Sequence, residues 1–154
     1  MGKLEVLSPA NGELIPNSKI SDETFSKNMM GQGFGIVTFD KVMCAPISGE
    51  ITLISGHAYS IKNPEGVEIL IHMGIDTVEI PSDKKSIIFN YVRKVGDKVN
   101  AKDPIVNVDW DAIKALGFDI TTPVVILSES IGNKSVSIEA IGPCSVGDVA
   151  AIVE

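Results

Sequence analysis

Hydrophobic and polar residues alternate in short runs along most of the chain, and turn residues separate the runs. A period of two residues places successive side chains on opposite faces of a strand, so these runs predict β-structure. Turn signals recur roughly every 8–12 residues, which is typical of an antiparallel β-sandwich or a barrel-like all-β fold. The predicted strands cover 36–39, 50–54, 57–62, 67–73, 87–92, 105–108, 124–127 and 135–141.

Only two stretches carry a helical pattern. Ser21 is placed to cap a short helix that Gly31 would end. Asp109 can cap a second helix over the letters WDAIKAL, with Gly117 directly after it. The chain is therefore predicted to be all-β with one or two short helices, in a single domain over residues 1–154.

Composition and charge narrow the function. The chain has 154 residues, 44% hydrophobic and 21% charged, as in soluble globular proteins. Its net charge of −7 argues against nucleic acid or an anionic membrane as the main partner and fits a basic protein partner. Neither a membrane-length apolar run nor a signal peptide is present. Cys44 and Cys144 have no metal-binding spacing, so we expect reduced thiols in a cytoplasmic protein. The acidic composition without large apolar patches predicts a monomer.

The only two histidines, His57 and His72, flank one predicted turn, Asn-Pro-Glu-Gly at 63–66. Opposed residues in an antiparallel hairpin have a constant sum of residue numbers. A four-residue loop opposes Lys62 to Val67 and places the two histidines directly across from each other. A three-residue loop with a glycine bulge shifts the register by one and places them on opposite faces.

The alternation of side chains in the predicted strand over 67–73 favours the four-residue loop. In that register Val67, Ile69 and Ile71 face the core together. His72 and His57 then lie side by side on the other face. The predicted register is therefore the one in which the two histidines are paired.

Such a pair has three interpretations that the residues alone leave open. Both histidines can be structural, each with its own hydrogen-bond partner. They can bind zinc with a third ligand from Asp76 or Glu79, although HxH, HxxE and HExxH motifs are absent. Alternatively, one ring nitrogen is a nucleophile in phosphoryl or acyl transfer, and the other ring donates a hydrogen bond to the developing oxyanion.

The surroundings of His72 favour transfer chemistry. Gly74 lets the backbone approach a bound anion, and Asp76 adds a polar group beside it. Ser55 is placed to hydrogen-bond one imidazole and fix its tautomer. No Lys or Arg lies within six residues of either end of HMGID, so imidazole and backbone donors would hold the anion. The apolar rim of this surface consists of Leu70, Ile75 and Val78.

Longer stretches resemble a known family. In order along the chain they are SPANGELIP, APISGEI, HAYSI, GVEILIHMGIDTVEI, VGDKV, DAIKALGFDITTPVVI and VGDVAAIV. Together they are similar to the glucose-family IIA component of the bacterial phosphoenolpyruvate-dependent sugar phosphotransferase system. The resemblance implies a β-sandwich of the barrel-sandwich hybrid type and no cofactor. It also implies a phosphocarrier that receives a phosphoryl group from HPr and passes it to the IIB domain of a glucose-type permease.

The resemblance further implies roles for individual residues. His72 matches the phosphorylated nucleophile, and His57 matches the imidazole that stabilises the phosphoryl group. The chain departs from the family where Ser55 replaces a common threonine, Gln32 an aspartate and Leu70 a larger aromatic. The residues expected to bind partners are Asp76, Leu70, Val78, Gln32 and Phe34.

Two other functions are alternatives or additions to the phosphocarrier: a carrier of a prosthetic group and a regulatory binding protein. Biotinyl and lipoyl carriers share patterns such as APISGEI, but they need a lysine on a hairpin turn, and Lys114 falls in a predicted helix. Proteins of the resembling family can also bind a transporter or a metabolic enzyme through the same face. There, zinc can be held by His57, His72 and a carboxylate of the partner. No IIB or IIC segment is attached, so we expect a free-standing IIA component.

Overall fold

The structure, a computed structural model, describes residues 2–154. Fourteen strands pair in antiparallel fashion throughout, which confirms the predicted all-β fold. The strands are β1 (Leu4–Leu7), β2 (Gly12–Pro16), β3 (Gly31–Val37), β4 (Val42–Cys44), β5 (Gly49–Ser55), β6 (Ala58–Lys62), β7 (Glu68–His72), β8 (Phe89–Tyr91), β9 (Lys98–Val99), β10 (Pro104–Val108), β11 (Thr122–Leu127), β12 (Val136–Ile138), β13 (Gly142–Cys144) and β14 (Val149–Val153). The helices are α1 (Glu23–Ser26), α2 (Ser82–Ile88) and α3 (Trp110–Ala115), with 3₁₀ turns at Asn17–Lys19, Thr77–Glu79 and Ser128–Ser130.

The strands form three sheets. The largest has eight strands in the order β13-β2-β3-β11-β7-β6-β5-β9. The two smaller sheets have the orders β1-β14-β12 and β4-β10-β8. β7 therefore lies inside the large sheet, between β11 and β6, where its backbone is paired on both sides. Within residues 2–154, none of the helices has the length and apolar character needed to cross a bilayer.

Two apolar clusters lie against the large sheet. The main core includes Val67, Ile69 and Ile71, each no more than 1% exposed, which confirms the predicted core face of this segment. Leu70 faces the opposite way, into a second cluster that we call the site cluster. The site cluster consists of Ile20, Phe25, Ala58, Leu70, Ile75 and Val125.

The predicted register of the β6–β7 hairpin is wrong by one residue. Ala58, not His57, lies opposite His72. The loop is the three-residue alternative, because the N–H of Asn63 donates to the carbonyl of Val67 at 2.9 Å. The Asn63 side chain accepts a further hydrogen bond from the N–H of Val67, also at 2.9 Å. Gly66 closes the loop with a φ of 95°, which favours glycine and produces the bulge.

The first predicted helix begins one residue later and ends earlier than expected. Asp22, not Ser21, caps α1 by accepting a hydrogen bond from the N–H of Thr24 at 2.8 Å. The helix does not continue to Gly31, because Asn28 has a left-handed backbone with a φ of 55°. The cap of α3 is confirmed: the Asp109 carboxylate accepts from the N–H of Ala112.

The predicted strand over 87–92 is wrong in its first two residues. Residues up to Ile88 form α2, and only β8 remains as strand. Pro81 precedes the first turn of α2, and its carbonyl accepts from the N–H of Lys85 at 2.9 Å. The adjacent β-branched pair Ile87 and Ile88 suggested a strand, but only Ile88 is buried. The short strands that were not predicted are β1, β2, β4, β9, β13 and β14.

Candidate active site

His72 lies at the end of β7, on the face that carries the site cluster. Its ring centroid is 5.2 Å from that of Phe25 and 4.7 Å from that of His57. The two imidazole planes are inclined by 73°, so they meet edge to face. The structure therefore brings the only two histidines together against the site cluster.

His57 lies in a turn and not in a strand, and its ring contacts His72 from there. Gly56 and His57 connect β5 to β6, and Ser55 pairs with Ala58 across the turn. Strand alternation would assign position 57 to the core face, together with Tyr59. Because β6 begins only at Ala58, the turn is free to direct the ring towards His72. The predicted proximity is correct although the predicted register is not.

The His72 ring has a fixed orientation. Its Nδ1 lies 2.7 Å from the carbonyl oxygen of Gly74. A carbonyl only accepts hydrogen bonds, so Nδ1 carries the proton and Nε2 keeps a bare lone pair. Nε2 makes no hydrogen bond with the described residues, and it is the nitrogen that can meet a bound group.

The loop after His72 holds the Gly74 carbonyl in place. Gly74 has a φ of 83°, and a Cβ at this position would lie 2.6 Å from Cγ2 of Thr77. Thr77 is fully buried and donates to the carbonyl of Met73 at 2.7 Å. The N–H of Gly74 donates to the buried hydroxyl of Thr122 at 3.3 Å. This loop accepts no side chain at position 74 without moving.

His57 is held differently from His72. Its side chain is buried, and its Nδ1 is enclosed without a hydrogen-bond partner among residues 2–154. Buried N–H groups without an acceptor are rarer than bare buried acceptors, which favours the tautomer with the proton on Nε2. The two histidines then present complementary nitrogens: a lone pair on His72 and an N–H on His57.

Burial lowers the pKa of His57 from 6.5 to about 4. The charge that His72 carries when protonated lowers this pKa further, as does the charge of Lys85. A histidine with this pKa is neutral at pH 7 and can donate one hydrogen bond and accept another.

Burial also lowers the pKa of His72, and it outweighs the effects in the opposite direction. The hydrogen bond to Gly74 raises the pKa, and so do the nearby carboxylates of Asp22 and Asp76. His72 is therefore neutral at pH 7, as a nitrogen nucleophile must be.

Lys85 lies close to the pair although the sequence indicated no cation there. Its Nζ donates to the carbonyl of Val78 at 2.8 Å. A Cβ at position 56 would lie 3.0 Å from the Cδ of Lys85, so the lysine stem covers Gly56. The helix start after Pro81 is a signal in the sequence that Lys85 lies on a helix, but no local pattern indicates that this helix contacts the site.

The residues predicted to bind partners separate into exposed and buried groups. Asp76 and Gln32 are exposed, and 58% of Val78 is exposed. Asp76 also has a left-handed φ of 60°, an uncommon conformation that often marks functional sites. Leu70 is 7% exposed and forms part of the site cluster. Phe34 is fully buried in the main core, so its side chain presents no surface for docking, contrary to the prediction.

One expectation and one open alternative find no support in the geometry. Ser55 is exposed, and its hydroxyl makes no hydrogen bond with either histidine, so Gly74 and not Ser55 orients an imidazole. Among residues 2–154, no three His, Cys, Asp or Glu side chains converge as metal ligands. Neither Asp76 nor Glu79 therefore completes a zinc site around the pair.

The chain is similar to proteins of one sugar-transport system. Residues 4–131 match the family described as phosphoenolpyruvate-dependent sugar phosphotransferase system, EIIA 1. The glucose-specific EIIA component of Mycoplasma capricolum is 33% identical over 153 residues, which cover 98% of this chain and 96% of that protein. The solved structure of glucose permease IIA from the same organism superposes with a TM-score of 0.88 at 32% identity, covering 99% of this chain and 96% of that one.

A longer relative contains the same unit as one part. The β-glucoside-specific EIIBCA component of Bacillus subtilis is 39% identical over 128 residues, or 81% of this chain. The chain spans only 20% of the length of that protein. The likeness to this relative therefore concerns its EIIA part.

Proposed function

Since the chain belongs to the EIIA 1 family of the phosphoenolpyruvate-dependent sugar phosphotransferase system, we propose that it is a phosphocarrier for uptake of a glucose-type sugar. It receives a phosphoryl group from phosphohistidine on HPr and passes it to a cysteine on the IIB domain of a sugar permease. It does so as a cytoplasmic monomer without a cofactor. The observation that carries this proposal is the His57–His72 pair, with ring centroids 4.7 Å apart and complementary ring nitrogens.

His72 is the nucleophile in this proposal. The lone pair of Nε2 attacks phosphorus in line, and the bond from phosphorus to the imidazole of HPr breaks as the new N–P bond forms. The proton on Nδ1 stays on the ring. The Gly74 carbonyl accepts a hydrogen bond from that N–H at 2.7 Å and so stabilises the ring as it becomes more positive.

His57 stabilises the group that is transferred. Its Nε2–H donates to a phosphoryl oxygen, where negative charge is concentrated during transfer. A pKa of about 4 keeps the His57 ring neutral, so this hydrogen bond does not require a proton from solvent. The site cluster beneath the rings excludes water, which would otherwise hydrolyse the phosphohistidine.

The exposed part of the site suits a basic partner. Asp22 and Asp76 place two carboxylates near His72, and the whole chain has a net charge of −7. Such a surface attracts a partner with a positive face and accelerates encounter. Val78, two residues after Asp76, is exposed and provides an apolar contact.

Phosphorylation by phosphoenolpyruvate, enzyme I and HPr tests the proposal. We expect one acid-labile, base-stable phosphate per chain, and none on His72→Gln. Label on the His72→Gln variant would disprove the assignment of the nucleophile.

His57→Gln should separate the two transfer steps. Exchange between two phosphohistidines joins chemically equivalent groups and is expected to tolerate loss of one donor. Transfer from His72 to a thiol lacks this symmetry and should depend more strongly on His57. We therefore expect His57→Gln to accept the phosphoryl group but to pass it on slowly. Normal onward transfer would remove the role of His57.

The same surface offers a second function, the binding of a regulated transporter or metabolic enzyme. His57 and His72 provide two adjacent imidazoles, and residues 2–154 supply no third ligand, so a zinc ion would need a carboxylate from the partner. Zinc added to the protein alone should then shift the histidine ring NMR signals only at high concentration. Tight zinc binding by the isolated chain would contradict this arrangement.

A further inference from the structure

A half-buried tyrosine contacts the backbone on both sides of His57. The hydroxyl of Tyr91 donates to the carbonyl of Gly56 at 2.7 Å and to the carbonyl of Ala58 at 3.1 Å. His57 is the single residue between these two acceptors. The hydroxyl therefore holds the ends of the short segment that carries the imidazole.

This contact connects two sheets. Tyr91 belongs to β8, whose sheet is β4-β10-β8, whereas the His57 turn joins two strands of the eight-stranded sheet. The ring of Tyr91 is supported by Tyr59, at 6.3 Å between centroids and nearly edge-on. Burial raises the pKa of Tyr91, so the phenol remains a protonated donor throughout the physiological range.

The segment before β8 contacts the same turn. The stem of Lys85, from α2, covers Gly56, and its Nζ is held by the carbonyl of Val78. Two side chains from one stretch of sequence thus enclose the turn. The His57 ring itself has no hydrogen bond at Nδ1, so backbone contacts fix its place, among them the hydrogen bond that the N–H of Met73 donates to the His57 carbonyl at 2.7 Å.

We infer that Tyr91 is a positioning residue for His57: its hydroxyl holds the turn so that the imidazole meets the phosphoryl group carried by His72. This inference rests on the proposed phosphocarrier function. Tyr91 acts through the Gly56 and Ala58 carbonyls and does not touch the reacting atoms. No bond in the transfer involves it.

Tyr91→Phe removes the hydroxyl and keeps the ring. We expect acceptance on His72 to stay within about twofold of wild type. Onward transfer should fall on the order of tenfold, a fraction of the hundredfold that misplacement by one ångström can cost. The ring NMR signals and the titration of His57 should also change in the unphosphorylated protein.

Tyr59→Phe is the matched control. Its hydroxyl also donates to a backbone carbonyl, that of Cys44 at 2.9 Å, away from the His57 turn. This variant loses an equivalent hydrogen bond, so it should leave the His57 signals and onward transfer unchanged. If both variants behave alike, Tyr91 is merely structural and the inference is wrong.

The failure of the inference and the failure of the proposed function are distinguishable. The His57 signals are read in the unphosphorylated protein, so they decide the positioning role even if wild type takes no phosphate on His72. If Tyr91→Phe does not fold, the wild-type hydroxyl proton supplies the answer. It should exchange slowly with water and show cross-peaks to residues 56–58 before and after phosphorylation. Free exchange in either state would overturn the inference.

Discussion

The two histidines of the site are held by opposite means. His72 is fixed through its side chain, because Nδ1 donates to the carbonyl of Gly74 at 2.7 Å. His57 is fixed through its backbone, because Tyr91 donates to the carbonyls on either side of it and the N–H of Met73 donates to its own carbonyl, while its Nδ1 has no partner among the described residues. His57 is buried and His72 is half-buried, and both pKa values are lowered.

This difference corresponds to the two chemical tasks. A nucleophile needs one tautomer and one direction of attack, and a ring hydrogen bond provides both. A hydrogen-bond donor to a moving phosphoryl group needs to follow that group through the transfer. A firm backbone with an unbonded ring nitrogen leaves the His57 ring this freedom. The three predictions below test each half of the comparison.

Gly74→Ala should give the largest effect, because it acts on the side-chain anchor of His72. The φ of 83° and the 2.6 Å approach to Cγ2 of Thr77 force the loop to move. We expect a loss of about 3 kcal/mol or more in the free energy of unfolding, measured by urea denaturation. Acceptance of phosphate should fall on the order of a hundredfold, because the Gly74 carbonyl leaves Nδ1.

Gly66→Ala provides the control for backbone strain. Its φ is also positive, at 95°, but nothing lies within 4 Å of the added Cβ. The cost should be about 1–2 kcal/mol, with normal acceptance of phosphate. Equal losses of activity in the two variants would show that the orientation of the Gly74 carbonyl is not what matters.

The pH dependence of stability should reveal the burial of His57. Its folded pKa is about 4 and its ordinary value is 6.5, so between these values the unfolded chain binds a proton that the folded chain does not. Stability therefore rises with pH across this range and is lost as the pH falls from about 6.5 to about 4. The difference of about 2.5, at ~1.4 kcal/mol for each unit of pH, amounts to ~3 kcal/mol.

Urea denaturation of wild type and of His57→Gln at pH 7 and at pH 4 measures this contribution. Wild type should lose up to ~3 kcal/mol more than the variant on acidification, since glutamine does not titrate. Parallel losses in the two proteins would mean that His57 is readily protonated in the folded state.

Ser55→Ala should give the smallest effect. The serine was expected to orient an imidazole, but its hydroxyl is exposed and contacts neither ring nitrogen. We expect both transfer steps to stay within about twofold of wild type, as for a surface substitution. A tenfold loss in either step would mean that Ser55 engages the site only when a partner or phosphate is bound.

Local pattern was enough to predict several elements. The alternation from Val67 to Ile71 indicated which side chains enter the main core, and all of the predicted ones are buried there. The cap at Asp109 is visible in the sequence because capping depends on residues three apart. These features rely on contacts within a few residues, where the sequence itself fixes the geometry.

Other features were missed because distant contacts decide them. The end of α2, Ile87 and Ile88, was predicted as strand and its earlier residues were not predicted as helix, since adjacent isoleucines suit a strand and only packing selects the helix. Phe34 was expected at the docking surface, but β3 turns its side chain into the main core. Lys85 and Tyr91 contact the His57 turn although they lie about 30 residues further along the chain. No local sequence pattern indicates such contacts.

The sequence by itself determined the two histidines, the aliphatic face beneath them and the hairpin that brings them near each other. Tertiary structure decided how they meet. Asn-Pro-Glu-Gly fits a loop of three or four residues, and in the folded protein it forms the shorter one, with two hydrogen bonds between Asn63 and Val67. That register would separate two strand residues at 57 and 72, but His57 lies in a turn held by Tyr91 from another sheet. The choice between a three-residue and a four-residue loop depends on the energy of the whole fold, and so do the hydrogen bonds between sheets. The local sequence therefore does not specify them.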